Sequence, residues 1–111
     1  MYRDLKWSPS EKKVARKAYD AALESALGQV MAEFKRRAAA AATPSDMWDI
    51  EDYLRGERRE IDQVFDYRYS QLPFVFTNLI LRGHLEESLL DGLSEEKREL
   101  IRSSVARAAK G

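Results

Sequence analysis

The sequence predicts an all-α fold opening on one unusually long helix, and three observations carry that prediction. Gly and Pro are scarce, at five and three residues in a chain of 111, so little interrupts helix. Apolar residues recur mostly three and four apart. Two pairs, Ser8-Pro9 and Thr43-Pro44, mark helix starts far apart in the chain.

The first helix starts with Ser8 as N-cap, Pro9 at the first helical position and Glu11 completing a capping box. From there to Ala42 there is no Pro, a single Gly (Gly28) and abundant Ala, so the spacing predicts continuous helix, about 50 Å long at 1.5 Å per residue. That length outruns the core of a monomer of this size. Val14, Ala18, Leu27, Val30, Met31, Phe34, Ala38 and Ala41 form its apolar stripe. Such a stripe packs either on helices of its own chain or on a second copy.

Thr43, Pro44, Ser45 and Asp46 start a second helix, expected to run through Trp48 to about Ser70, with Gly56 as a local weak point. Met47, Ile50, Leu54, Ile61 and Phe65 share one stripe of it. Trp48, Asp52, Arg55, Arg59, Asp62 and Asp66 fall well away, so an indole stands among charges. Glu51 with Arg55 and Arg58 with Asp62 are opposite charges four apart. Pro73 predicts a kink or break after Leu72. Phe74, Val75, Phe76, Leu79, Ile80 and Leu81 then read as the most buried helix, with Gly83 as its C-cap. Leu85, Leu89, Leu90 and Leu93 suggest a short turn or helix. Ser94, Glu95 and Glu96 start a last helix that holds Leu100, Ile101 and Val105 and ends among Arg102, Arg107 and Lys110.

Composition excludes several function classes. Charged residues make up 34% and hydrophobic ones 44%, which fits one helix-rich domain and not a disordered chain. Basic and acidic residues both total 19, so no bulk field attracts nucleic acid or an anionic membrane. Basic and aromatic residues meet at Arg55, Arg58, Arg59, Tyr67, Arg68 and Tyr69. There Asp52, Glu57, Glu60, Asp62 and Asp66 cancel a phosphate-tracking stripe. No cysteine is present to form a disulfide, a thiolate metal site or a nucleophile. The opening MYRDLKWSPSEKK has no apolar run behind its charges, and nowhere do eighteen apolar residues run together, so a cytoplasmic location is expected.

Catalytic constellations are equally sparse. His84 is the sole histidine, which leaves no multi-histidine metal site and no metal or cofactor to expect; after Gly83 it reads as a solvated or capping residue. Asp62 and Asp66, one turn apart, are the sole candidate carboxylate pair, with no phosphate loop or nucleophile elbow beside them. Tyr67 and Tyr69 read as rims of the core, and Arg68 as a partner for a neighbouring carboxylate. Trp48 with Glu51, Asp52 and Arg58 has the make-up of a protein-binding hot spot, or of an indole clamped between the helices of a dimer.

With these residues in hand, the chain resembles the fluorescence recovery protein family, best known from cyanobacterial photoprotection. The match runs from Trp7, Ser8 and Glu11 through Ala15, Ala18 and Tyr19 to Asp46, Trp48 and Leu54. It continues through Arg58, Glu60, Ile61 and Asp62, then Phe65-Asp66-Tyr67-Arg68-Tyr69-Ser70, and on to Val75-Phe76, Leu79, Gly83, Leu85, Leu90, Leu93, Lys97 and Ile101. The resemblance implies a single domain over 1–111, with a helical stalk over about 8–70, a small helical head over about 71–108, and dimerisation through the stalk. It further implies a non-enzymatic regulator that binds the orange carotenoid protein, mainly through that partner's C-terminal domain, speeds its return from the red to the orange form and helps detach it from the phycobilisome. By position, Trp48, Asp52 and Arg58, with Glu51 among them, match the family's functional patch, and Phe74 matches a partner-binding aromatic of the head. Leu27 matches a stalk dimer contact, and Val30, Met31 and Phe34 are expected beside it. Glu51 stands where the well-known cyanobacterial member has His, and Leu100 where it has Lys. The Ala38–Ala42 run adds about one helical turn. A dimeric helical adaptor for an unrelated protein is the alternative.

Overall fold

A computed structural model describes residues 5–110. The charged opening residues 1–4 lie outside the described residues. The elements are α1 (Pro9–Ala40), α2 (Pro44–Val64), α3 (Leu72–Leu81), a 3-10 turn (Glu87–Leu90) and α4 (Glu95–Lys110), and no described residue lies in a strand. α1 and α2 form an antiparallel hairpin, and the remaining elements form a head that packs on the N-terminal half of α1.

The predicted helix starts are built as read. Glu11 donates its backbone N–H to the Ser8 hydroxyl at 3.1 Å, and the Ser8 N–H donates to the Glu11 carboxylate at 3.0 Å. Thr43 and Asp46 repeat this reciprocal cap, and Asp46 also accepts the Ala42 N–H at 2.8 Å. This second cap needs extended backbone at Thr43, so α1 stops at Ala40, not Ala42.

The expectation that α2 runs to Ser70 is corrected: it ends at Val64, and Phe65 already has φ −93° and ψ 104°. The reason lies in the sequence Phe65-Asp66-Tyr67-Arg68-Tyr69, where aromatic and charged residues alternate with a period of two. On extended chain every ring then points to one side, and aromatic residues favour that backbone. Phe65 and Tyr67 meet the Tyr19 ring edge-on at 5.4 and 4.8 Å, and Tyr69 meets Trp7 at 5.5 Å. Arg68 turns away and pairs with Asp66 at 2.9 Å. The break expected after Leu72 falls before it. Leu72 opens α3 and Pro73 sits in the first turn, where a missing N–H costs no helical hydrogen bond.

Gly83 ends α3 with φ +81°, a conformation that favours glycine. Its N–H donates to the Ile80 carbonyl and that of His84 to the Leu79 carbonyl, which completes a Schellman cap. Ser94 caps α4 by accepting the Lys97 N–H at 3.2 Å.

The core lies where the head meets α1. Leu72, Phe76, Leu79, Leu90 and Ile101 are buried against an alanine face made by Ala15, Ala18 and Ala22. Side chains this short let the head approach the α1 backbone closely. Gly92 is the tightest point, since an added Cβ would lie 2.5 Å from Val14 Cγ2. Val14 is β-branched on a helix and has little rotamer freedom to retreat. Gly92→Ala is therefore expected to cost about 1–3 kcal/mol, measured by urea denaturation.

By contrast α2 has no buried residue along its apolar stripe or elsewhere. Met47 stays 53% exposed and Ile50, Leu54 and Ile61 only half-buried. Among the described residues no helix is long and apolar enough to cross a membrane.

Candidate functional site

The hairpin displays two adjoining surfaces, and the predicted site residues divide between them and the head. Trp48 lies one turn into α2, 60% exposed, with its indole contributing nothing to the core. Asp52 and Arg55 follow on the same outward side at helical spacing. Arg55 reaches the Glu51 carboxylate at 2.9 Å and lies 3.9 Å from Asp52, so one guanidinium neutralises both acids. Pairs this exposed add only about 0.5 kcal/mol each, so their consequence is the charge the surface presents. Sequence reasoning did not single out Arg55 as a site residue, although its i, i+4 spacing to Glu51 was legible.

Arg58 is exposed on the border between this patch and the apolar stripe, and among the described residues it makes no ion pair. Its expected pair with Asp62 is not formed. Asp66, the other half of the candidate carboxylate pair, is engaged by Arg68, whose guanidinium holds its carboxyl below the usual range. No group of three or more His, Asp or Glu among the described residues could hold a metal.

Phe74 is 48% exposed on α3 and does not join Trp48 in one patch. Trp48 sits near the hairpin turn, while the head docks at the opposite end, where Tyr69 meets Trp7. About 24 Å of α2 separates Trp48 from Val64. The chain thus offers two separate aromatic surfaces.

The four residues expected at a dimer interface do come together. Leu27 and Met31, 49% and 53% exposed, line a shallow apolar groove with Val30, Phe34 and, from α2, Leu54. A second recess continues it toward the turn, lined by Phe34, Ala38, Met47 and Ile50. On the other side a cation–π contact joins the two helices, beside an ion-pair cluster within α1. Arg37 stacks 4.1 Å from the Tyr53 ring, and Arg36 and Arg37 both pair with Glu33, drawing its carboxyl down to about 2.

Between the hairpin and the head lies a cleft of about 320 Å³ bordered by Tyr53, Glu57, Glu60, Arg82 and His84, which the Glu60–Arg82 ion pair bridges. Far more buried is a network that sequence reasoning read only as a helix cap. The Glu11 carboxylate also accepts the Ser94 N–H at 2.8 Å and the Lys97 ammonium at 3.1 Å, tying the start of α1 to the start of α4. Lys97 further donates to the Lys6 carbonyl and lies 4.8 Å from the Trp7 ring. Burial alone would raise the Glu11 carboxyl. The Ser8 and Ser94 N–H groups and Lys97 outweigh it and hold the group at about 2.

Comparison with known proteins agrees along nearly the whole chain. The family model described as photoprotection regulator fluorescence recovery protein matches residues 7–105. The fluorescence recovery protein of Synechocystis sp. PCC 6803 is 29% identical over 97 residues, covering 87% of this chain and 89% of that one. The solved structure of the Fremyella diplosiphon fluorescence recovery protein superposes with a TM-score of 0.84 at 34% identity, over 92% of this chain and 99% of that one. The Synechocystis structure superposes at 0.85 with 28% identity, over 91% and 99%. With the same helices in the same order, and with the motif from Phe65 to Ser70 shaping the entry to the head, this chain belongs to the fluorescence recovery protein family of photoprotection regulators.

Proposed function

We propose that the protein is a non-enzymatic regulator that binds the photoactivated orange carotenoid protein and accelerates its return to the resting orange form, ending photoprotective quenching. The observation that carries this reading is Trp48, a large aromatic ring held 60% exposed on a regular helix among partly neutralised charges. An exposed indole beside Arg and carboxylates has the composition of a binding hot spot. Trp48, Glu51, Asp52 and Arg58 form one contact surface and Phe74 on the head a second. By favouring the closed state of its partner the protein shifts that partner's population or lowers the barrier to closing. It acts in the cytoplasm and reaches the phycobilisome only through its partner.

The working unit in this reading is a homodimer joined along the groove of Leu27, Val30, Met31, Phe34 and Leu54. Support comes from α2, whose apolar stripe is only partly covered within its own chain. Leu27→Glu places a charge in that groove and is expected to convert the dimer to monomer at micromolar concentration, read by light scattering.

The function is tested by mixing the protein with photoactivated orange carotenoid protein in the dark and following the red-to-orange absorbance change. Recovery should quicken in proportion to added protein. Unchanged recovery together with no co-elution on size exclusion would refute the reading for this partner.

A further inference from the structure

The cleft between the hairpin and the head combines an apolar lining with an unbalanced charge. Ala26 and Val30 of α1, Ile61 and Val64 of α2, and Phe65 border a space of about 320 Å³, within the range of small-ligand sites. On α2, Tyr53, Glu57, Glu60 and Val64 are spaced four, three and four residues apart, which puts both carboxylates on the side of the helix that borders the cleft. Glu60 is taken up by its ion pair with Arg82. Glu57 is half-buried and has no ion-pair or hydrogen-bond partner among the described residues, so its negative charge is left over. That charge is felt at Tyr53, whose hydroxyl stands above its usual range, first through burial and then through Glu57, with Glu33 adding to it. His84 also borders the cleft, and its Nδ1 is buried with no hydrogen-bond partner among the described residues. Buried polar atoms nearly always find a partner, so this one marks a place for a group from outside the chain.

We propose that this cleft binds a small organic monocation, an ammonium on an apolar stem, with Glu57 as its counter-ion and the apolar lining around the stem. Charge selects the class. An anion would meet Glu57, and a neutral molecule would take water from that carboxylate without replacing it by a charge. The stem is needed because a bare hydrated ion gains nothing from a site lined by Val30, Ile61 and Phe65. A free amine suits the cleft better than a lysine carried on another protein, since the Glu60–Arg82 pair already bridges it and leaves less room for a second backbone at its edge. Because α2 has no buried residue of its own, an amine seated between it and the head adds burial exactly where the chain lacks it. Binding therefore stabilises the docked arrangement of hairpin and head in proportion to ligand concentration.

Phenethylamine is the probe, titrated at constant pH while the His84 ring protons are followed by NMR; the chain has a single histidine, so the reporter is unambiguous. Saturable shifts with a Kd of about 1 mM are expected for a molecule this small. 2-Phenylethanol, of similar shape without the charge, and 3-phenylpropionate, of opposite charge, should bind about tenfold more weakly or worse. Glu57→Gln should weaken phenethylamine by the same factor and keep its helix content by circular dichroism, since Glu57 has no partner to lose. At about ten times its Kd, phenethylamine should slow hydrogen exchange of the α2 amides about tenfold. Nα-acetyl-lysine amide, which carries the ammonium on a peptide, should bind more weakly than phenethylamine; tighter binding would assign the site to a partner's lysine and overturn the free ligand. No shift of His84 at about 10 mM probe, equal binding of the alcohol or the acid, or a Glu57→Gln variant that binds as wild type would overturn the proposal.

Discussion

Glu11→Ala is expected to destabilise the protein by about 3–5 kcal/mol, seen as a large fall in its urea midpoint. The cause is what the change leaves behind. The Lys97 side chain is only 4% exposed and would be left with a single carbonyl and the Trp7 ring as its partners. The Ser94 N–H at the start of α4 would lose its acceptor as well. The same carboxylate sets an acid limit. Its value is depressed from 4.5 to about 2 in the folded protein, so its contribution is complete above about pH 5 and is lost as the pH falls toward 2. That contribution is on the order of 3 kcal/mol. Glu11→Gln should therefore flatten the stability profile between pH 5 and 2 as well as lower the plateau.

The second large effect is expected in function and not in stability. Trp48→Ala removes a side chain that is mostly in water, so the unfolding free energy from urea denaturation should change by no more than about 0.5 kcal/mol. Affinity for the photoactivated carotenoid protein should fall by about thirtyfold, equivalent to roughly 2 kcal/mol, and the acceleration of recovery should fall with it at limiting concentration. Size exclusion of the two proteins together reads the loss directly. A variant that accelerates recovery as well as wild type would remove Trp48 from the contact surface.

Local chemistry was the legible part of this fold. Ser8, Thr43 and Ser94 cap helices as their neighbours in sequence announce, and Gly83 closes α3 for a reason visible in two residues. The apolar run from Phe74 to Leu81 did identify the most buried helix, with Phe76 and Leu79 fully enclosed. Helical propensity failed at Phe65–Tyr69, where a period of two was hidden inside a longer helical pattern and tertiary stacking on Tyr19 and Trp7 decided the outcome. The head-facing side of α1 was also missed, because alanines at Ala15 and Ala22 carry almost no hydrophobic signal and matter through proximity. Of the candidate site, composition pointed to Trp48 and its charges, and the resemblance supplied Phe74. The placement of those two at opposite ends of the molecule depended on where α2 stops, which was the boundary read least well.

The lack of any buried residue in α2 has a consequence for how the molecule opens. An isolated helix of 21 residues is marginal in water, so the amide protons of α2 can exchange through local unfolding that leaves the head intact. In the proposed homodimer, association would suppress that opening by mass action, so exchange of the α2 amides should slow as protein concentration rises.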